Sequence, residues 1–256
     1  MVSSMDKECN VNGNITNMLI ITEGAKTEPK LFRQLARVFT QFNKFDVYSY
    51  NTNIYDLYDY LQDYLSVDGE IEGDFLQILK ERESSIEKKK LLSQNYSDIL
   101  LVFDFDPHDH RYDFCKLMFL MHYFSESTEN GKLYLNYPMV ESFKHFSGLK
   151  DFNYIERKID LKDIPCYKKI VAKESGIGNI GDLDRATFIM IISENLKKVN
   201  YINGKTITET DIEKLNDELL RVAIRQNKCV EDKEFCYVLH TGLFFLPQYS
   251  SNWKEL

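Results

Sequence analysis

The stretch MLIITEGAKTEP, Met18 to Pro29, decides how the chain is read. Four apolar residues, Met18 to Ile21, run into Thr22 and then Glu23-Gly24, the pattern of a short buried strand that ends in a carboxylate. Gly24 permits a tight turn, Thr27 is the candidate N-cap of a helix, and Pro29 falls in its first turn. Leu31, Phe32, Leu35, Val38 and Phe39 follow at helical spacing. The unit is therefore strand, acidic loop, amphipathic helix. In open α/β sheets a ligand sits beyond the carboxyl ends of the strands, where Glu23 is placed.

A second stretch, DILLVFDFDPHD from Asp98 to Asp109, matches it. Ile99 to Phe103 reads as a strand covered on both faces, closed by Asp104-Phe105-Asp106 and stopped by Pro107. Strand alternation would put Asp104 and Asp106 on one side and Phe105 on the other. Two carboxylates that close repel unless a proton or a cation lies between them. All-oxygen ligands suit a hard divalent ion, Mg²⁺ first and Mn²⁺ as the alternative.

With these residues in place the sequence resembles a known family. A strand ending in Glu23-Gly24 and a later one ending in Asp104-x-Asp106 are similar to the Toprim domain of topoisomerases, primases, RNA-maturation nucleases and OLD-type nucleases. The fuller wording, TEGAKTEPKLF, then VFDFDPHD, then NYPMVESF, most resembles the RloB-like branch associated with bacterial phage defence. The likeness spans Met18 to Phe146. It implies a Toprim-like parallel sheet of about four strands flanked by helices, a metal-dependent endonuclease acting on tRNA, other RNA or DNA, and an antiviral role beside an ABC- or SMC-like ATPase. It also marks Glu141, just after the fourth strand, as a candidate ligand for a second metal. A homodimer is compatible with this reading.

Composition sets outer bounds. The chain has 256 residues, 32 Lys and Arg against 40 Asp and Glu, a net charge of −8 and five cysteines. That length holds one large domain, or a domain with an appendage. No apolar run is long enough to span a membrane, and MVSSMDKECN has no signal-peptide core. Five dispersed cysteines without CxxC spacing fit reduced thiols in a cytoplasm and argue against a zinc site. An acidic chain is an awkward partner for phosphate, so basic residues would have to be grouped locally.

The expected organisation is a disordered segment at 1–17, a Toprim-like catalytic domain at 18–146, and a basic segment with a helical C-terminal region at 147–256. Phe45 to Tyr50 alternates as a strand. Helices are expected from Ile54 to Leu65, from Phe75 to Leu92 and from Tyr112 to Phe124, and a fourth strand from Leu133 to Asn136. Strands alternating with helices imply a parallel sheet covered on both faces. Between Lys144 and Lys173 eight Lys and Arg stand against four acids, with Phe146, Phe152, Tyr154 and Tyr167 interleaved. Such a mixture suits a single strand or an RNA loop, and equally an ordinary basic surface. Ser175 to Asp182 reads as a linker, Leu183 to Val199 and Thr210 to Asn227 as helices, and Val238 to Leu246 as an apolar run of open type.

The candidate chemistry is Mg²⁺-assisted phosphodiester hydrolysis. Asp104 and Asp106 would be ligands, and Glu23 a ligand or a general base. Lys26 is the candidate for stabilising charge on the phosphoryl group, and Asp109 a further ligand. Each acid has a plainer reading: Glu23 as a helix N-terminal acid, Asp104 and Asp106 as a strand-end turn, Asp109 as a turn residue. His108 is a candidate for orienting water, or simply an exposed loop histidine. Haloacid-dehalogenase phosphatases carry Asp-x-Asp followed by Thr or Val, whereas His108 stands there. Sugar-nucleotide transferases leave the Glu23 motif unexplained. A non-catalytic Toprim-like adaptor of an ATPase complex is the alternative from another class, and Glu23→Gln separates it from an enzyme.

Overall fold

The computed structural model describes residues 17–42, 44–250 and 252–255. Of the 1–17 segment expected to be disordered, only Asn17 lies within them, and Cys9 lies outside them.

Strand β1 (Met18–Thr22) leads to helix α1 (Thr27–Val38), and strand β2 (Phe45–Ser49) to helices α2 (Ile54–Leu61), α3 (Phe75–Arg82) and α4 (Ile86–Leu92). Then come β3 (Asp98–Asp104), α5 (Phe114–Tyr123), β4 (Ser125–Glu126) and β5 (Gly131–Asn136). The sheet order is β2-β1-β3-β5-β4. The first four strands are mutually parallel, and β4 adds a short antiparallel edge. The fold is thus α/β with a mainly parallel sheet, as the alternating pattern requires. The fifth strand was not foreseen because two exposed residues carry no periodic signal.

Every residue of β1 and β3 is buried, which is why both read as unbroken apolar runs. The sequence suggested one helix from Phe75 to Leu92, but the chain breaks at Glu83. Glu83 Oε1 accepts the Ser85 N–H at 2.9 Å and Ser85 caps α4, so local side-chain bonds compete with continuous helix. Thr27 does not cap α1 either. The residue at the cap is Lys26, without a side-chain bond, and Glu28 instead reaches back to accept the Gly24 N–H at 3.0 Å. A Cβ at residue 24 would stand 2.9 Å from Glu28 Oε2, so any larger residue there would push that carboxylate aside.

Beyond residue 146 the chain forms β6 (Lys158–Asp160), α6 (Tyr167–Glu174), α7 (Arg185–Ile202), α8 (Leu215–Lys233), β7 (Phe235–Tyr237) and α9 (Phe245–Tyr249). This region is therefore not purely helical: β6 and β7 pair antiparallel. Three-residue strands are too short for alternation to show. One buried hydrophobic cluster runs from Met18 to Trp253 and passes through residue 146 without interruption. Leu239 exchanges backbone hydrogen bonds with Tyr137, Thr241 Oγ1 donates to Leu135 O at 2.8 Å, and the Gly242 N–H donates to Asn136 Oδ1 at 3.2 Å. The apolar run Val238 to Leu246 thus lies along β5 and in the core. The glycine-rich stretch at 175–182 is mostly exposed but anchored, with Ile177 buried, the Gly176 N–H on Phe146 O at 2.8 Å and Gln34 of α1 donating to Leu183 O just beyond it. Among the described residues, no helix is long and apolar enough to cross a membrane.

Candidate active site

The carboxyl ends of β1, β3 and β5 meet at one edge of the sheet. Glu23 follows β1, and its backbone extends two ladders: its N–H donates to Val102 O at 3.2 Å, and its carbonyl accepts from Asn51 at 2.9 Å. The side chain turns across β3, where Oε2 accepts the Asp104 N–H at 3.1 Å. Asp104 closes β3 opposite Asn136 of β5. Beyond it the alternation expected of a strand fails. Asp106 has φ +41°, while the Phe105 and Asp106 N–H groups are held by Asn136 O at 2.9 Å and Pro138 O at 3.1 Å. The twist keeps Phe105 fully buried and leaves the Asp106 carboxylate partly exposed.

Glu141 enters from the 3-10 turn Val140–Lys144 that follows β5, and Glu28 from the first turn of α1. Glu28, Asp104 and Glu141 are all buried. Asp104 Oδ1, Asp106 Oδ1 and Glu141 Oε2 are buried without a hydrogen-bond partner among the described residues. His108 Nδ1 lies 2.6 Å from Asp106 Oδ1, without hydrogen-bond alignment.

The electrostatics follow from this crowding. Burial pushes the Glu23 carboxyl up to about 8, against the Asp104 N–H that favours its charged form, with Asp106 and Glu28 adding repulsion. Asp104 is held far above the usual carboxylate range by burial, then by Glu23, Glu28, Glu141 and Asp106. Burial also raises Asp106, partly offset by His108, and raises Glu28 against the Gly24 N–H.

The cation at this cluster is not Lys26, which is exposed and makes no ion pair among the described residues. It is Lys168 of α6, whose Nζ lies 3.6 Å from Glu141 Oε1 and whose charge favours ionised Glu23, Glu28 and Asp106. Asp109 adds its charge against Asp106, but its own carboxylate is engaged elsewhere. Burial would raise its pKa, but the Arg111 backbone and guanidinium outweigh that, and Asn53 Nδ2 donates to it at 2.6 Å. Its carboxylate is committed to that network. An open cleft of about 480 Å³, lined by Glu23, Gly24, Asn51, Asn53, Asp106 and Arg111, gives access to the site.

The structure therefore brings Glu23, Asp104, Asp106 and Glu141 to one edge, places Asp109 beside them in a separate ion pair, and leaves Lys26 outside. Glu28 and Lys168 were not among the expected site residues. Glu28 looks like any helix N-terminal acid, and Lys168 lies far along the chain in a basic segment with no marker of its own. Among the described residues, no group of three or more His, Cys, Asp or Glu side chains is gathered in metal-binding geometry. The donor chemistry still suits a hard divalent cation, because the three unpartnered buried atoms are all carboxylate oxygens.

Buried acids with raised pKa values bind protons more tightly in the folded than in the unfolded state. Their contribution to stability is complete below the unfolded value, near 4.5 for Glu23, and is lost as pH rises through about 8. In EDTA the denaturation midpoint is expected to fall steadily from pH 5 to pH 8.5, and Mg²⁺ to restore more stability at pH 8.5 than at pH 5. A flat profile would show that these carboxyls titrate normally.

No protein-family model matches the chain, and no curated protein or solved structure matches it.

Proposed function

We propose that the chain is a Toprim-like, metal-dependent nuclease that hydrolyses phosphodiester bonds in tRNA, other RNA or DNA, as the effector of an anti-phage system working with an ATPase subunit. One observation carries the reading. Acids from three parallel strand ends share one edge, and three of their buried oxygens have no hydrogen-bond partner among the described residues. Structural ion pairing offsets only part of this charge, since exposed Lys168 beside Glu141 and His108 beside Asp106 stand against five carboxylates.

Asp104, Asp106 and Glu141 are the residues that would hold a divalent cation. Such an ion, when bound, supplies electrophilic activation of a phosphoryl oxygen and makes water a better acid. Glu23, with its pKa pushed up to about 8, can take or give a proton close to neutral pH. Lys168 can offset negative charge on an incoming phosphate. Glu28 holds Gly24, and with it the turn that carries Glu23, through the 3.0 Å bond to its N–H.

The test is cleavage of a panel of tRNA, single-stranded RNA and duplex DNA, with Mg²⁺ or EDTA, by the chain alone and beside a candidate ATPase. Mg²⁺-dependent cutting that falls roughly 100-fold or more in a normally folded Glu23→Gln variant is the expected result. Absence of cutting in every condition, together with no Mg²⁺ binding by calorimetry, would leave the non-catalytic adaptor.

A further inference from the structure

Four aromatics are interleaved with the basic residues between Lys144 and Lys173, and the structure uses three of them internally. Phe146, Tyr154 and Tyr167 are fully buried, with Phe146 and Tyr154 stacked at 3.8 Å between ring centroids. Phe152 is the exception, at 90% exposure.

Its turn is clamped. The Asp151 side chain is only 2% exposed and accepts from the Ser147 N–H at 2.8 Å, the Asn153 N–H at 3.1 Å and Arg157 Nη2 at 2.7 Å. The residues flanking Asp151, Lys150 and Phe152, both project into solvent, as does Leu149. The ring is presented to solvent on a turn whose backbone is already fixed, which lowers the ordering cost of binding a ligand there.

Helix α6 links that turn to the acidic cluster. At one end, Lys168 lies beside Glu141. At the other, Glu174 Oε2 is 3.7 Å from Arg157 Nη1 and 3.1 Å from His145 Nε2, and Arg157 is the residue that clamps Asp151. Lys169 and Lys173, both exposed, are four residues apart and so share a face. Among the described residues, neither makes an ion pair or a side-chain hydrogen bond. The acid at that end, Glu174, is already engaged. Eight helical residues span about 12 Å, the reach of a few nucleotides.

We propose that α6 and the Ser147–Asn153 turn form the track of a single-stranded nucleic acid leaving the acidic cluster, with Lys168, Lys169 and Lys173 against phosphates and an unpaired base stacked on Phe152. This deepens, and rests on, the nuclease reading of the cluster. A duplex keeps its bases stacked inside, so a lone projecting ring selects for an unpaired one. Lys169 and Lys173, with exposed Lys168 beside Glu141, also answer the charge problem, since they group positive charge locally in a chain of net −8. RNA and DNA single strands share this chemistry, and the experiment separates them.

Binding of fluorescein-labelled 12-nucleotide RNA, DNA and duplex DNA to the full chain would be measured in EDTA. Single strands are expected to bind more tightly than duplex. Phe152→Ala weakens binding about 10-fold and Phe152→Trp preserves it. The double variant Lys169→Ala/Lys173→Ala lowers the slope of log affinity against log salt by about 1.4. A 2-aminopurine placed along the strand is quenched at one position by wild type and not by Phe152→Ala. Wild-type affinity in Phe152→Ala, or equal affinity for duplex, overturns the track even if the protein cuts nucleic acid. Conversely, Phe152-dependent binding without hydrolysis of any substrate keeps the track and removes the nuclease reading.

Discussion

Asp104→Asn is expected to abolish cleavage, by roughly 1,000-fold or more, while making the metal-free protein more stable. The two effects have one cause. Asp104 ends β3 in the core, 9% exposed, with Oδ1 unpartnered and with Glu23, Glu28, Glu141 and Asp106 all disfavouring its charge. An amide of the same shape removes that repulsion, and at pH 8 in EDTA the variant gains about 2 kcal/mol in denaturant unfolding. With Mg²⁺ in excess the order reverses, since ligand binding to the native state stabilises wild type and not a chain that has lost a ligand. A variant less stable than wild type in EDTA would mean that Asp104 is a structural acid whose partner is a proton. A stable variant that still cuts would remove it from the site.

A chain ending at Glu234 is expected not to fold, although it contains all the candidate catalytic residues. It would lose Val238, Leu239, Leu243, Phe244, Phe245 and Leu246, none more than 2% exposed. Each fully buried apolar side chain contributes about 1.5–3 kcal/mol, so their combined loss is comparable to the roughly 5–15 kcal/mol that hold a whole domain. The backbone of β5 would lose Leu239 as partner of Tyr137, and Leu135 and Asn136 would lose Thr241 and Gly242. A Cβ at residue 242 would stand 2.8 Å from Val102 Cγ1, which shows how closely this segment lies on β3. Near-ultraviolet circular dichroism and limited proteolysis of the truncated chain give the answer. A cooperative transition in the fragment would instead show that the segment after Glu234 is not needed for folding.

Local pattern carried the core of the α/β reading. Continuous apolar runs at Met18–Ile21 and Ile99–Phe103, short and separated by helical patterns, read as doubly covered strands, and the carboxylates ending those runs then fall at the strand ends. The sequence by itself therefore determined that the main strands run parallel and that Glu23 and Asp104 lie at one edge, while their order in the sheet came from the structure. Tertiary structure decided everything that depends on distant segments meeting. Glu28 joins the cluster because the chain turns at Gly24, and Lys168 because α6 packs against the turn after β5. Asp109 is drawn to Arg111 and Asn53, a choice among neighbours that spacing does not encode. The aromatics between Lys144 and Lys173 show the same limit: identical in composition, three are core and one is presented to solvent, because only packing distinguishes a buried ring from an exposed one. Short strands such as β4, β6 and β7 lie below the length at which alternation is visible, and exist because a partner backbone is at hand.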